Sequence, residues 1–122
     1  MRHTWPAART DVEKRDCGRR ECAAYAAVKE GIRALSKVAA REWCPDGITV
    51  NVITPFANSP GWTAYVESNP EATQAQLDGT PLRRIGDCEA DVGRAAVFLA
   101  SEDGAYVTGH TLPVDGGFAI LA

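Results

Sequence analysis

The stretch that decides the fold reads ITVNVITP and occupies residues 48–55. Apart from Asn51, it is β-branched or apolar on both faces, which is the composition of a strand buried inside a parallel sheet. Asn51 is expected to satisfy backbone groups rather than to do chemistry. Pro55 is expected to close the strand, because a proline cannot donate to a central ladder. The sequence therefore predicts a buried parallel strand at Ile48–Thr54.

A long amphipathic helix is expected immediately before this strand. Its apolar positions follow 4-3-4 spacing: Val28, Ile32, Leu35 and Ala39. This period predicts a helix from about residue 22 to residue 43, with the apolar stripe toward the core. Pro45 is expected to end the helix, and Asp46-Gly47 to make the turn into the strand.

Further helices and a second strand are expected after residue 55. Short helices are predicted at Trp62–Glu67 and Pro70–Leu77, the latter capped by Asn69. Asp87 is expected to cap another helix, and Thr111–Val114 to form a strand. Two parallel strands joined by a helical crossover make a β-α-β unit. The predicted fold class is therefore α/β, the C-terminal part of a Rossmann-like doubly wound parallel sheet, and incomplete.

Tyr25 and Lys29 are the first candidate functional residues. They lie four residues apart near the start of the long helix, so they share one helix face. A phenol with a pKa of about 10 keeps its proton near neutral pH. A nearby ammonium group favours the phenolate and lowers that pKa, which would make the pair an acid/base device. The spacing alone also fits ordinary helix neighbours, with Tyr25 an interface aromatic and Lys29 a solvated charge.

Six blocks resemble the C-terminal half of the short-chain dehydrogenase/reductase family in order and spacing. They are YxxxK at 25–29, ITVNVITP at 48–55, PLRRIG at 81–86, AAVFLAS at 95–101, TG at 108–109 and VDGG at 114–117. The resemblance divides the chain into an irregular or partly helical segment, residues 1–21, and the C-terminal half of such a domain, residues 22–122.

The resemblance implies a reaction and a site. The family interconverts an alcohol and a carbonyl by hydride transfer with NAD or NADP, so the expected partners are small-molecule alcohols or carbonyls. Tyr25 would be the catalytic acid/base, and Lys29 would hold the nicotinamide ribose hydroxyls. Pro55 would lie beside the nicotinamide. Ser59 stands near the family's threonine that contacts the carboxamide. Asp115 and the two glycines after it would be structural.

The chain also departs from the family pattern. No Gly-rich turn of the form G-x-x-x-G-x-G precedes Tyr25, and the region of the family's catalytic serine holds Asp11, Val12 and Glu13. The strand at 48–54 is expected to lack a neighbour, which would expose an apolar sheet edge and promote homo-oligomers. We therefore expect a fragment that is weak or inactive alone, and the alternative is a non-catalytic remnant that acts as an assembly or binding module.

Residues 57–80 correspond to the substrate loop, which the family uses as a lid. Phe56, just before it, stands where the family usually has glycine. Trp62 is expected to pack rather than to serve as a substrate platform. The apolar loop residues Trp62, Ala64, Tyr65 and Val66 suggest a largely hydrophobic ligand. His110 is expected at the surface.

Composition narrows the remaining possibilities. The chain has 122 residues, which suits one domain, and its net charge of −3 favours no nucleic-acid partner. No apolar run reaches the length of a membrane span, and the opening residues lack a signal peptide's apolar stretch, so cytoplasm is expected. The four cysteines show no C-x-x-C spacing and only two histidines are present, so no metal site is expected and free thiols are the simplest interpretation.

Overall fold

A three-stranded parallel sheet organises the fold in the computed structural model, which describes residues 8–9 and 23–119. The strands are β1 (Ala8–Arg9), β2 (Val52–Pro55) and β3 (Thr111–Val114), with β2 in the centre. Helices occupy most of the chain between β1 and β2 and between β2 and β3. The predicted α/β class and the parallel pairing of the two predicted strands are confirmed.

β2 is buried along its whole length and pairs with β3 at every residue. It begins later than the predicted Ile48 and includes Pro55 as its last paired residue. Pro55 is tolerated there because the next ladder bond is donated by Phe56, whose N–H bonds the Val114 carbonyl at 3.0 Å.

Asn51 fastens the start of β2 to the turn before β3. Its side-chain amide donates to the Val107 carbonyl at 2.8 Å and accepts from the His110 N–H at 3.1 Å. The expected backbone role of Asn51, a buried residue, is therefore confirmed, as is the exposure of His110.

The pairing of β1 with β2 contradicts the expectation that one edge of the central strand is open. Ala8 pairs with Val52 and Arg9 with Ile53, so β2 has a neighbour on the side that we expected to be open. A pairing of two residues uses backbone groups alone, and it leaves no side-chain period that a sequence would reveal. The rest of the predicted segment 1–21 lies outside the described residues.

Helix α1 runs from Ala23 to Trp43, as predicted, and a short 3₁₀ turn with Gly47 at φ 76° leads toward β2. Its apolar stripe is not buried throughout. Ala39 is buried, but Val28 is 61% exposed and Leu35 is 69% exposed. The expectation that the whole stripe faces the core is therefore wrong for the described part of the chain, because a helical period identifies an apolar face but not what covers it.

Two helices follow β2: α2 (Pro60–Ser68) and α3 (Pro70–Gly79), each longer than predicted. Ser59 caps α2, since its hydroxyl oxygen accepts from the Trp62 N–H at 3.2 Å. The Asn69 side chain does not cap α3. Instead it donates to the Tyr65 carbonyl at 3.1 Å, and thus serves the end of α2.

Helix α4 (Arg94–Ala100) completes the crossover to β3. Asp87 caps its approach, as predicted, by accepting from the N–H groups of Glu89 and Ala90 at 2.9 and 2.6 Å. Residues 88–93 form a π-helical turn rather than the expected α-helix. None of the described helices is both long and apolar enough to cross a lipid bilayer.

Candidate active site

Tyr25 and Lys29 meet on one face of α1. The Lys29 Nζ lies 5.3 Å from the centroid of the Tyr25 ring, and both side chains are half-buried. A cation at this distance from an aromatic ring is attracted to it. The first two turns of α1 therefore place a phenol and an ammonium group together, with both side chains partly exposed.

Pro55 and Ser59 flank the turn that leaves β2. Pro55 is buried at the carboxyl end of the strand, and Ser59 is half-buried at the start of α2. The Ser59 oxygen is engaged by the helix start, but a hydroxyl can still turn its proton toward another acceptor. The two residues thus offer an apolar wall and a donor at the end of the central strand.

An aromatic cluster that sequence reasoning did not identify follows Pro55. It consists of Phe56, Trp62 and Phe118, with Phe56 in the middle. Trp62 is buried, which confirms that it packs. Among the described non-glycine residues only Arg83 has a positive φ, so Phe56 has no left-handed backbone. The sequence signal was the phenylalanine at a position where the family usually has glycine.

Gly86 joins the end of the segment that carries α2 and α3 to the end of β2. The Gly86 N–H donates to the Phe56 carbonyl at 3.3 Å, and the Asn58 N–H donates to the Gly86 carbonyl at 2.8 Å. A Cβ at Gly86 would lie only 2.8 Å from the Phe56 carbonyl oxygen. The close approach of these two backbones explains why the block at 81–86 ends in glycine.

An ion pair braces the same region. Arg84 donates to both carboxylate oxygens of Asp91, at 2.6 and 2.8 Å, and the Asp87 N–H donates to Asp91 at 2.7 Å. The pKa of the Asp91 carboxyl lies well below its usual range, mainly because of the hydrogen bonds from Arg84 and to a smaller extent because of the Asp87 N–H. The same contacts raise the pKa of Arg84. Both groups are therefore charged at neutral pH.

A cleft of about 300 Å³ lies between Phe56, the Arg84–Asp91 ion pair and residues 113–117 at the end of β3. Hydrogen bonds hold one wall of the cleft together, because the buried Asp115 accepts from the N–H groups of Gly117 and Ala119, each at 3.0 Å. The cleft opens at the carboxyl ends of the parallel strands, which is where open α/β sheets bind ligands.

Comparisons with known proteins agree with these features. A family model described as Enoyl-(Acyl carrier protein) reductase matches residues 13–119. The 12alpha-hydroxysteroid dehydrogenase of a Clostridium species is 50% identical over 93 residues, which are 76% of this chain and 36% of that protein. A short-chain dehydrogenase/reductase family oxidoreductase from Burkholderia thailandensis superposes with a TM-score of 0.69 at 36% identity, covering 80% of this chain and 38% of that one.

A structure from Agrobacterium tumefaciens with bound NADP superposes with a TM-score of 0.71 at 39% identity, covering 78% of this chain and 38% of that one. The chain therefore spans less than two fifths of the length of these relatives, between 36% and 38%. The family-model match includes all four predicted site residues, Tyr25, Lys29, Pro55 and Ser59. On the match to the family model and on the identity to its members, the chain belongs to the short-chain dehydrogenase/reductase family.

Proposed function

We propose that this chain carries the acid/base part of an NAD(P)-dependent oxidoreductase that interconverts an alcohol and a carbonyl. The observation that supports the proposal most directly is the position of Lys29 Nζ, 5.3 Å from the centroid of the Tyr25 ring on one face of α1. Family membership supplies the reaction class, and the geometry supplies the two groups that such a reaction needs.

In this proposal Tyr25 moves the proton. In reduction its phenol donates a proton to the carbonyl oxygen, and in oxidation its phenolate accepts the proton of the alcohol. Lys29 favours the phenolate by its positive charge and offers donors to the ribose hydroxyls of the cofactor. NAD or NADP, when bound, supplies or accepts the hydride.

The residues after β2 fit the nicotinamide end of such a cofactor. Pro55 is a buried apolar residue at the carboxyl end of the central strand, where open parallel sheets bind ligands. Ser59 carries a hydroxyl four residues further on, at the start of α2. Pro55 would lie beside the nicotinamide ring, and Ser59 would donate to the carboxamide.

As a polypeptide of 122 residues the chain is expected to turn over weakly or not at all. No Gly-rich phosphate turn precedes Tyr25 in its sequence, and no serine stands in the region of the family's catalytic serine. The loss of one preorganised donor of this kind typically lowers kcat by roughly 10²–10³. Loss of the phosphate-binding turn would weaken cofactor binding as well.

We propose a largely apolar small-molecule alcohol or ketone as substrate. The segment between β2 and Gly86, which carries α2 and α3, contributes the exposed ring of Tyr65, which lies against the buried Trp62 near the end of the central strand. A relative that is 50% identical over the matched region is a 12alpha-hydroxysteroid dehydrogenase, so a hydroxysteroid is a suitable first substrate to test.

Two measurements test the proposal. The first is NAD(P)H-linked turnover of a ketosteroid, comparing wild type with Tyr25→Phe and with the control Tyr106→Phe, whose side chain is fully exposed. Turnover that Tyr25→Phe abolishes and Tyr106→Phe leaves unchanged supports the role of Tyr25. Equal turnover in wild type and Tyr25→Phe contradicts it.

The second measurement is the shift in Tm on adding NAD(H) or NADP(H), which requires a real dinucleotide site. Lys29→Met is expected to reduce any shift, whereas Lys37→Met, an exposed position on the same helix, serves as the matched control. Absence of both turnover and thermal shift in the wild type would favour the alternative, a non-catalytic remnant, over a catalytic role for this polypeptide.

A second candidate function, an assembly module, is favoured by the exposed face of α1. Val28, Leu35 and Val38 are 61%, 69% and 50% exposed and recur at intervals of seven and three residues, so they form one apolar stripe. We propose that this stripe associates with a second copy of the chain. In sedimentation equilibrium, Leu35→Lys should shift the chain toward monomer, whereas Val97→Lys, at an equally exposed site on α4, should not.

A further inference from the structure

We propose that Phe56 is a positioning residue for the candidate lid, defined here as residues 57–80. Its ring connects the first helix of the lid to the sheet and to the chain after β3. The inference deepens the proposed function, because it rests on the assignment of these residues as the lid over the substrate. Phe56 stands where the family usually has glycine, so this ring is a feature of this chain.

The ring contacts of Phe56 join three separate parts of the fold. The ring stacks on Phe118, with centroids 4.7 Å apart and planes inclined by 27°. It meets the edge of Trp62 at 5.1 Å and 81°. Stacked and edge-to-face pairs are the favoured aromatic arrangements. Phe56 and Trp62 are each only 5% exposed, so both contacts are shielded from water.

The backbone of Phe56 gives this ring a fixed position. The Phe56 N–H donates to the Val114 carbonyl at 3.0 Å, and its carbonyl accepts from the Gly86 N–H at 3.3 Å. The residue is therefore held by β3 on one side and by Gly86 on the other. A ring anchored in this way cannot follow a movement of α2, and it holds Trp62 in place.

Trp62 connects the anchored Phe56 ring to Tyr65 on the surface of the lid. Its ring lies 5.6 Å from the Tyr65 ring, one helical turn further along α2. Tyr65 is 37% exposed, so the row from Phe118 to Tyr65 begins beside the sheet and ends at an accessible aromatic surface. Loss of the Phe56 ring would free Trp62, and with it the place that Tyr65 offers to an apolar substrate.

Proteolysis by a glutamate-specific protease tests the inference without cofactor or turnover. Glu67 lies in α2, Glu71 lies in the first turn of α3, and Glu102 lies outside the lid; all three are exposed. In the full chain, Phe56→Leu should raise cleavage after Glu67 relative to cleavage after Glu102 by about fivefold, as loss of one aromatic pair would allow. The matched control Phe98→Leu, at an exposed position on α4, should leave the ratio unchanged.

Tryptophan fluorescence gives an independent readout. In a background with Trp5→Phe and Trp43→Phe, Trp62 is the only tryptophan left. Phe56→Leu is expected to increase the quenching of Trp62 by acrylamide and to shift its emission to longer wavelength. Where turnover is measurable, Phe56→Leu should raise KM about fivefold with a smaller effect on kcat, because Tyr25 and Lys29 lie on α1 and not on the lid.

Several outcomes would overturn the inference. A cleavage ratio that stays at the wild-type value would show that Phe56 does not restrain α2. A parallel rise at Glu67 and Glu102 would show that Phe56 is an ordinary core residue. A loss in kcat equal to the loss in kcat/KM would place its effect on the chemistry instead. The first two outcomes require no activity, so they are distinct from a failure of the proposed dehydrogenase function.

Discussion

Replacing Gly86 by alanine adds a methyl group where the backbone of Phe56 already lies. The new Cβ would come within 2.8 Å of the Phe56 carbonyl oxygen, 3.6 Å of an Asp91 carboxylate oxygen and 3.7 Å of the Ala57 Cβ. The first distance is below van der Waals contact, so the two backbones must move apart by about 0.5 Å. Neither backbone is the flexible end of a side chain, and the movement is therefore costly.

The magnitude follows from what that movement breaks. It lengthens the bond from the Gly86 N–H to the Phe56 carbonyl, now 3.3 Å, and the bond from the Asn58 N–H to the Gly86 carbonyl, now 2.8 Å. Each such bond contributes about 1 kcal/mol net, and overpacking adds about 1–3 kcal/mol. We expect the free energy of unfolding to fall by about 3–5 kcal/mol, or a decrease in Tm of order 10–20 °C.

The assay is far-UV circular dichroism during thermal and urea unfolding, with Gly31→Ala as the matched control. Gly31 lies inside α1, where an added Cβ meets nothing within 4 Å. Alanine there is expected to raise stability by about 1 kcal/mol through helix propensity. The reasoning is refuted if Gly86→Ala is as stable as wild type, or if Gly31→Ala loses as much stability as Gly86→Ala.

Three further predictions concern stability. Gly104→Ala should unfold the region around α4, because its Cβ would lie 2.3 Å from the Phe98 carbonyl oxygen. The free energy of unfolding should fall by about 3 kcal/mol or more, and an unchanged urea midpoint would contradict this. Asp91 has a lowered pKa in the folded state, so its pairing with Arg84 contributes stability that is complete above the unfolded pKa of about 4 and is lost as pH falls below it; Asp91→Asn should flatten the acid limb of a plot of Tm against pH, and an unaltered limb would refute the assignment. Asn51→Leu should cost about 1–3 kcal/mol in chemical denaturation, because it leaves one part-buried backbone donor and one part-buried acceptor without their side-chain partner. A neutral effect would show that water replaces the amide.

The elements that the sequence predicted are those with a local signal. The period of four apolar positions located α1, and Pro45 with Gly47 located its end. Asp87 could be predicted as a helix cap because the N–H groups that its carboxylate accepts from belong to residues two and three positions later in the sequence. Each of these features depends on residues within about one helical turn of one another, so the sequence alone carries the necessary information.

The features that sequence reasoning missed depend on contacts between distant parts of the chain. Phe56 meets Phe118 across the ends of two strands, and no local period relates these positions. Phe56 was noted as a departure from a glycine, yet its effect became visible only through the position of its ring partners.

Two of the corrected predictions bear on how the chain would associate. The sheet edge beside β2 is covered at Val52 and Ile53 by β1, so that part of the edge no longer offers free ladder groups. The apolar stripe of α1 was expected to be buried but is exposed at Val28 and Leu35. The association proposed above is therefore better assigned to the helix than to the strand. Because Tyr25 and Lys29 lie on the same helix, a second copy that packed on this stripe would also restrain the groups of the candidate acid/base pair.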